Sequence, residues 1–273
     1  MSLYHSDSIR MVVVDSSQRF SGNSSQFTIA LSLPREVSDF DRVVLNQISI
    51  PRSWYDIDSN LNTFLLVENF SLARVVTLTP GLYNVNSLIL SLQTALNLAS
   101  PNGYTYTITY PNSATQVNTN KFTFKCSNTT VTKSFIFTNA LYLQLGFNAN
   151  TTNDFTGTIT STNSISISYI NRLFLKSSIC DTAQDNILQE ILVAGQYPSC
   201  SYVYYENPLF DAQSRVFTSS NNNSWTFSLY DRYGNLVNLQ GQDYVFSLFL
   251  YKKDRTSELH HESLKISNLE KLL

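Results

Sequence analysis

The stretch DYVFSLFLY at residues 243–251 decides the fold. Tyr244, Val245, Phe246, Leu248, Phe249 and Leu250 make it apolar at both alternating parities, with Ser247 as the interruption. Successive side chains of a strand point to opposite faces, so a run apolar at both parities belongs to a strand covered on both sides. It lies just before the charged C-terminal end of the sequence. A sheet that seats it centrally is finished only when almost the whole chain has been made. Upstream, residues 225–230 set Trp225, Phe227 and Leu229 against Thr226, Ser228 and Tyr230, the pattern of a half-buried strand. Between the two, Asp231-Arg232-Tyr233-Gly234-Asn235 provides the Asp, Gly and Asn that turns use.

Working outward, the same alternation recurs along the chain. Residues 9–14 are a β-branched run, residues 26–33 alternate Phe27, Ile29, Leu31 and Leu33 with small polar positions, and residues 42–50 end at Pro51. Further strands are expected at 63–67, 75–78, 104–110, 121–126, 134–137, 165–169 continuing toward 175, 189–193, 200–205 and 215–218. At Pro80-Gly81 the period changes. Val85, Leu88, Ile89, Leu92 and Leu96 fall on one face of a helix, with Asn84 or Asn86 as its N-cap. A short apolar segment at 140–147 is broken by Gly146. About eight principal strands lie outside this helical region, the number a jelly roll needs. The sequence therefore predicts a mainly β chain: a discontinuous jelly-roll β-sandwich over 1–78 and 161–252, a small inserted α+β unit over 79–160, and a charged C-terminal tail over 253–273.

Bulk composition fits stacked sheets. Charged residues are 14% of the 273, against a usual ~25%, so the surface is polar through hydroxyl and amide groups. Surface poor in charge is expected to be reserved for subunits. A net charge of −2 gives no bulk attraction to nucleic acid or anionic membrane, and nucleic-acid binding is left only to the tail. Cys126, Cys180 and Cys200 are odd in number and widely spaced, which suits free thiols in a reducing compartment. The N-terminal stretch lacks the apolar core of a signal peptide, and no run approaches the ~18 apolar residues of a membrane span. Synthesis and folding in the cytosol are expected, so the N-x-[ST] matches at Asn23, Asn69, Asn128, Asn150 and Asn222 read as products of composition. Within the tail, Glu258, Leu259, Leu264, Ile266 and Leu269 suit either an amphipathic docking peptide or an unstructured end.

Motifs for chemistry are few. His5, His260 and His261 all stand near the chain ends, where an imidazole is poorly placed to be held against a nucleophile, and no G-x-S-x-G occurs. Asp56, Asp58 and Asn60 imitate the first half of a calcium loop, but Leu61 replaces its glycine and Val67 its glutamate, so a loop tied by Asx turns is expected. Eight scattered glycines form no phosphate loop. No catalytic residue, metal ligand or cofactor is assigned. Trp54, Tyr55, Tyr202, Tyr204 and Tyr205 suit the packed centre of a subunit interface, where Tyr and Trp are enriched, better than a sugar- or base-stacking platform.

Several segments together resemble the penton, or minor capsid, proteins of virophages and Polinton-like viruses. They are Asp15-Ser16-Ser17-Gln18-Arg19 leading to Ser25-Gln26-Phe27-Thr28-Ile29, and Val43-Val44-Leu45 through Ile50-Pro51-Arg52-Ser53-Trp54-Tyr55-Asp56-Ile57. Thr77-Leu78-Thr79-Pro80-Gly81-Leu82-Tyr83, Lys121-Phe122-Thr123-Phe124, Leu145-Gly146-Phe147 and the Asp231–Asn235 turn complete the set. The resemblance covers most of residues 9–251 and none of the tail. It implies a virion protein with a jelly roll, assembled as a homopentamer at the fivefold vertices of an icosahedral capsid and touching the major capsid protein, with the inserted unit projecting outward. A second reading is a fibre-head or lectin-like module whose inserted unit binds a host surface ligand. A third, a β-sandwich hydrolase, would need two suitably spaced carboxylates.

Overall fold

A computed structural model describes residues 9–30, 40–69, 71–111, 118–168, 170–180, 185–193, 201–208, 213–218 and 224–252. The expectations for residues 31–33, Cys200, the three histidines and the tail at 253–273 lie outside the described residues. The chain forms two units, Met1–Ser53 with Asn171–Leu273, and Trp54–Ile170.

The strands of the first unit are β1 (Ile9–Asp15), β2 (Ser21–Gly22), β3 (Gln26–Ala30) and β4 (Arg42–Pro51) before the break in the sequence. The second unit contains β5 (Thr63–Glu68), β6 (Arg74–Thr77), α1 (Val85–Ala99), β7 (Tyr106–Thr109), β8 (Thr123–Cys126), β9 (Lys133–Ile136), α2 (Leu141–Leu145), β10 (Thr152–Phe155) and β11 (Thr158–Thr160). The first unit then resumes with β12 (Arg172–Ser177), β13 (Ile187–Leu192), β14 (Tyr202–Glu206), β15 (Arg215–Val216), β16 (Ser224–Asp231) and β17 (Val245–Tyr251).

In the first unit, sheet I has the order β1-β17-β4-β14, with β15 also on β4, and sheet II has the order β13-β12-β16-β3-β2. Counted along the chain, the eight principal strands of this unit stand 1-8-3-6 in one sheet and 5-4-7-2 in the other, which is a jelly roll. The fold is thus mainly β, as the alternation predicts. The last strand, β17, is central: β1 pairs with it from Ile9↔Tyr251 to Asp15↔Val245, and β4 flanks it on the other side. A bulge in β4 leaves Asn46 without an opposite residue, and its Nδ2 donates to Ser247 Oγ at 3.0 Å. The inward parity brings Val12, Val14, Val43, Leu45, Phe246, Leu248 and Leu250 against Phe27, Ile29, Leu173, Leu175, Trp225, Phe227 and Leu229, all buried. Phe227 of sheet II meets Phe246 of sheet I edge to face, with centroids 4.9 Å apart. On the outward parity Ser247 and Tyr251 are buried but Val245 is 43% exposed, so the two-sided covering expected of β17 holds over part of its length.

The second unit has sheet III, in the order β10-β9-β5-β6, and sheet IV, in the order β11-β8-β7. Helix α1 starts with a capping box: Asn84 Oδ1 accepts the Ser87 N–H at 2.9 Å and Ser87 Oγ accepts the Asn84 N–H at 3.0 Å. Its Leu88, Leu92 and Leu96 are buried with Phe64, Leu66, Val76, Phe124, Phe135 and Phe147 in a single core. The unit is larger than the 79–160 expected from the sequence. Alternation alone places β5 and β6 in the sandwich, yet β5 pairs with β9 and both contribute to this core, so the division falls after Ser53. At the other end Ile165 and Ile167 pack on the same core as non-strand chain, and β12 begins only at Arg172, correcting the strand expected at 165–169.

Candidate assembly surface

The outward face of sheet I is laid out by register. β14 is the edge strand, pairing with β4 from Tyr202↔Pro51 to Glu206↔Gln47. Strand periodicity turns Tyr202, Tyr204 and Glu206 outward and Val203 and Tyr205 toward the sandwich interior. Tyr202 and Tyr204 are 61% and 56% exposed, the latter with its hydroxyl 3.4 Å from Gln47 Oε1. Tyr205 is half-buried and its hydroxyl donates to Gln213 Oε1 at 2.5 Å; burial pushes it above its ordinary value. Trp54, the first residue of the second unit, is buried at 2% exposure. Tyr55 beside it is exposed. Of the five aromatic candidates, the structure brings Tyr202 and Tyr204 together on one face.

The residues missing from the sequence reading are Met11 and Val13 on β1, each 57% exposed, and Val245 on β17. They lie on the same outward face as the two tyrosines. Their signal was present as Met11-Val12-Val13-Val14, apolar at both parities like β17 itself.

Polar groups elsewhere are engaged in structure. Asp58 Oδ1 accepts the Asn60 N–H at 2.7 Å, the expected Asx turn, and Asp56 Oδ2 accepts the Tyr83 N–H at 3.1 Å. Asp231 closes the turn before β17 by accepting the Tyr233 and Asn235 N–H groups at 2.8 and 2.9 Å. Cys126 and Cys180 are buried free thiols. Burial pushes Cys180 up to about 12, with Arg215 pulling the other way. Among the described residues no group of three or more His, Cys, Asp or Glu is placed to hold a metal ion, and no helix is long and apolar enough to cross a membrane.

The jelly roll carries the second unit between its third and fourth principal strands. The solved mavirus penton protein, from a selenomethionine crystal structure, is similar to this chain with a TM-score of 0.52, covering 90% of this chain and 99% of that one. At 11% sequence identity the likeness is one of fold. No protein-family model matches the chain, and no curated protein does.

Proposed function

We propose that the chain is a structural capsid protein, a penton subunit that self-associates into a homopentamer at the fivefold vertices of an icosahedral capsid and contacts the major capsid protein there. The observation that carries this reading is the shared fold with the mavirus penton protein across nearly the full length of both chains. Tyr202 and Tyr204, exposed side by side on the edge strand of sheet I, support it as surface that a subunit contact would cover. In this reading the protein works in the virion after synthesis in the host cytoplasm, and its mechanism is association without catalysis or cofactor.

The test is the absolute mass of the full chain in solution, by light scattering after gel filtration over a concentration series. Five times 30.9 kDa is expected. A mass of one chain at every concentration, with no rings in electron micrographs, would overturn the proposal.

A further inference from the structure

Helix α1 runs out into Ser100-Pro101-Asn102-Gly103-Tyr104, and this turn holds the one Asn-Gly pair in the 273-residue sequence. Asn102 and Gly103 are both exposed, yet Asn102 reaches a buried partner. Its Nδ2 and its backbone N–H both donate to Glu68 Oε2, at 3.0 and 3.2 Å. Glu68 is fully buried, and its other oxygen accepts from Ser100 Oγ at 2.8 Å and Tyr106 Oη at 2.7 Å. Lys133 pairs with Glu68 across β5 and β9, but its ammonium donates to the carbonyls of Asn128, Val131 and Thr156. These donors to Glu68 are all uncharged, and the carboxylate latches the end of α1 to β5 and to the start of β7.

Gly103 leaves the Asn102 amide open to its own chain. At φ +68° it lies in the left-handed region, and a Cβ built there would meet nothing within 4 Å, so the space beside its nitrogen is clear. Its N–H makes a long bond, 3.4 Å to the Ser100 carbonyl, at the weak end of such bonds. A backbone nitrogen so lightly held, beside an exposed side-chain amide with water around both, is set for attack within the chain.

We propose that Asn102-Gly103 is a self-modification site whose product releases the Glu68 latch. The Gly103 nitrogen gives its proton to solvent base and bonds to Asn102 Cγ, closing a succinimide ring. The Cγ–Nδ2 bond breaks and ammonia departs. Water then opens the ring: cleavage at Cγ gives aspartate, and cleavage at the backbone carbonyl gives isoaspartate. The net change is amide plus water to carboxylic acid plus ammonia, with nothing oxidised or reduced. Where Nδ2 donated to Glu68 Oε2, a carboxylate oxygen now stands, and the buried charge faces a like charge in place of a donor. The loss of ammonia is one-way in dilute solution, so the site is a clock that loosens the junction of α1 and β7 once. The inference is independent of the proposed assembly.

In the test, the full chain is incubated in mildly alkaline buffer and its peptides are mapped by mass over time, with isoaspartate methyltransferase labelling the isomer. Asn102 is expected to be the first asparagine converted. G103A, which sets a Cβ beside the reacting nitrogen, is expected to keep the amide over the same period, with thermal unfolding confirming that it is folded. Conversion of another asparagine ahead of Asn102, or no conversion of Asn102 at all, would overturn the site. N102A and N102D then test the latch: the first only loses the donor, while the second adds the charge that the reaction makes. N102D is expected to melt about 3 °C below N102A. N102D melting at or above N102A would overturn the release of the latch while keeping the modification site.

Discussion

Ser16 and Asp243 stand 227 residues apart in the chain, and Ser16 Oγ donates a hydrogen bond to Asp243 Oδ1 at 2.8 Å. The same Ser16 Oγ accepts the Tyr244 N–H at 3.0 Å, and the Ser16 N–H donates to the Tyr244 carbonyl at 3.0 Å. Arg19 Nη1 reaches Asp243 Oδ1 at 2.5 Å from the same loop. These bonds fasten the end of β1 to the start of β17 just where their ladder stops. Ser16 is buried whereas the Arg19–Asp243 pair is partly open to solvent. Removing the hydroxyl leaves the Tyr244 N–H without its partner in a dry site, so Ser16→Ala should cost about 2 kcal/mol. Arg19→Ala should cost less than about 1 kcal/mol, as a solvent-screened pair does. Urea unfolding of both variants checks the order.

Tyr244 itself is fully buried among Phe27 and Phe246, and among the described residues its hydroxyl has no hydrogen-bond partner. Tyr244→Phe removes the orphan group while keeping the ring, and is expected to raise stability by about 1 kcal/mol. A fall in the urea midpoint would contradict this.

In the second unit Glu68 is fully buried and accepts from Tyr106 Oη at 2.7 Å, Ser100 Oγ at 2.8 Å, Asn102 Nδ2 at 3.0 Å and the Asn102 N–H at 3.2 Å. It ties the end of α1 and the start of β7 to β5. Glu68→Ala strands several buried donors at once and should cost about 3 kcal/mol. Chemical denaturation followed by tyrosine fluorescence reads the loss.

Alkaline pH is expected to destabilise the fold. Burial holds Cys180 at about 12 against an ordinary 9.0, and raises Tyr244 and Tyr106 well above 10.0, the latter also through its bond to Glu68. All three stay protonated in the folded chain while the unfolded chain loses protons above pH 9 to 10. The folded state then binds more protons, so stability is intact below pH 9 and falls as pH rises toward 12 and beyond. Melting temperatures measured between pH 7 and 11 should decline above 9. Thiol reagents should label Cys180 only on unfolding.

Tyr202→Ala with Tyr204→Ala tests the assembly face directly. Both side chains are exposed on an edge strand, so stability should change by less than about 0.5 kcal/mol. The proposed five-chain mass should fall to one chain in the light-scattering series.

Much of the sandwich was legible because period-2 text reports strands directly: β16 and β17 appear in the structure where Trp225–Phe227–Leu229 and the two-sided run placed them. What alternation does not report is the partner. Phe64 and Leu66 of β5 read like any jelly-roll strand, and only their pairing with β9 moves them into the second unit. Strands β10 and β11 leave no such signal, because Thr152–Phe155 and Thr158–Thr160 lack an apolar alternation. An aromatic loop likewise carries no mark of burial, so Trp54 and Tyr55 read alike although one is interior and the other exposed. The run Met11-Val12-Val13-Val14 shows the same ambiguity on β1, where Met11 and Val13 are exposed and Val12 and Val14 buried. Two-sided apolar text is identical for a strand covered by its own chain and one left open to another molecule.

The second unit occupies one uninterrupted segment, Trp54–Ile170, and carries its own core. Recombination at its two borders would therefore transfer the whole unit as a cassette, leaving every strand register of the jelly roll untouched. Changes confined to that segment would then leave the strand pairings of sheets I and II as they stand.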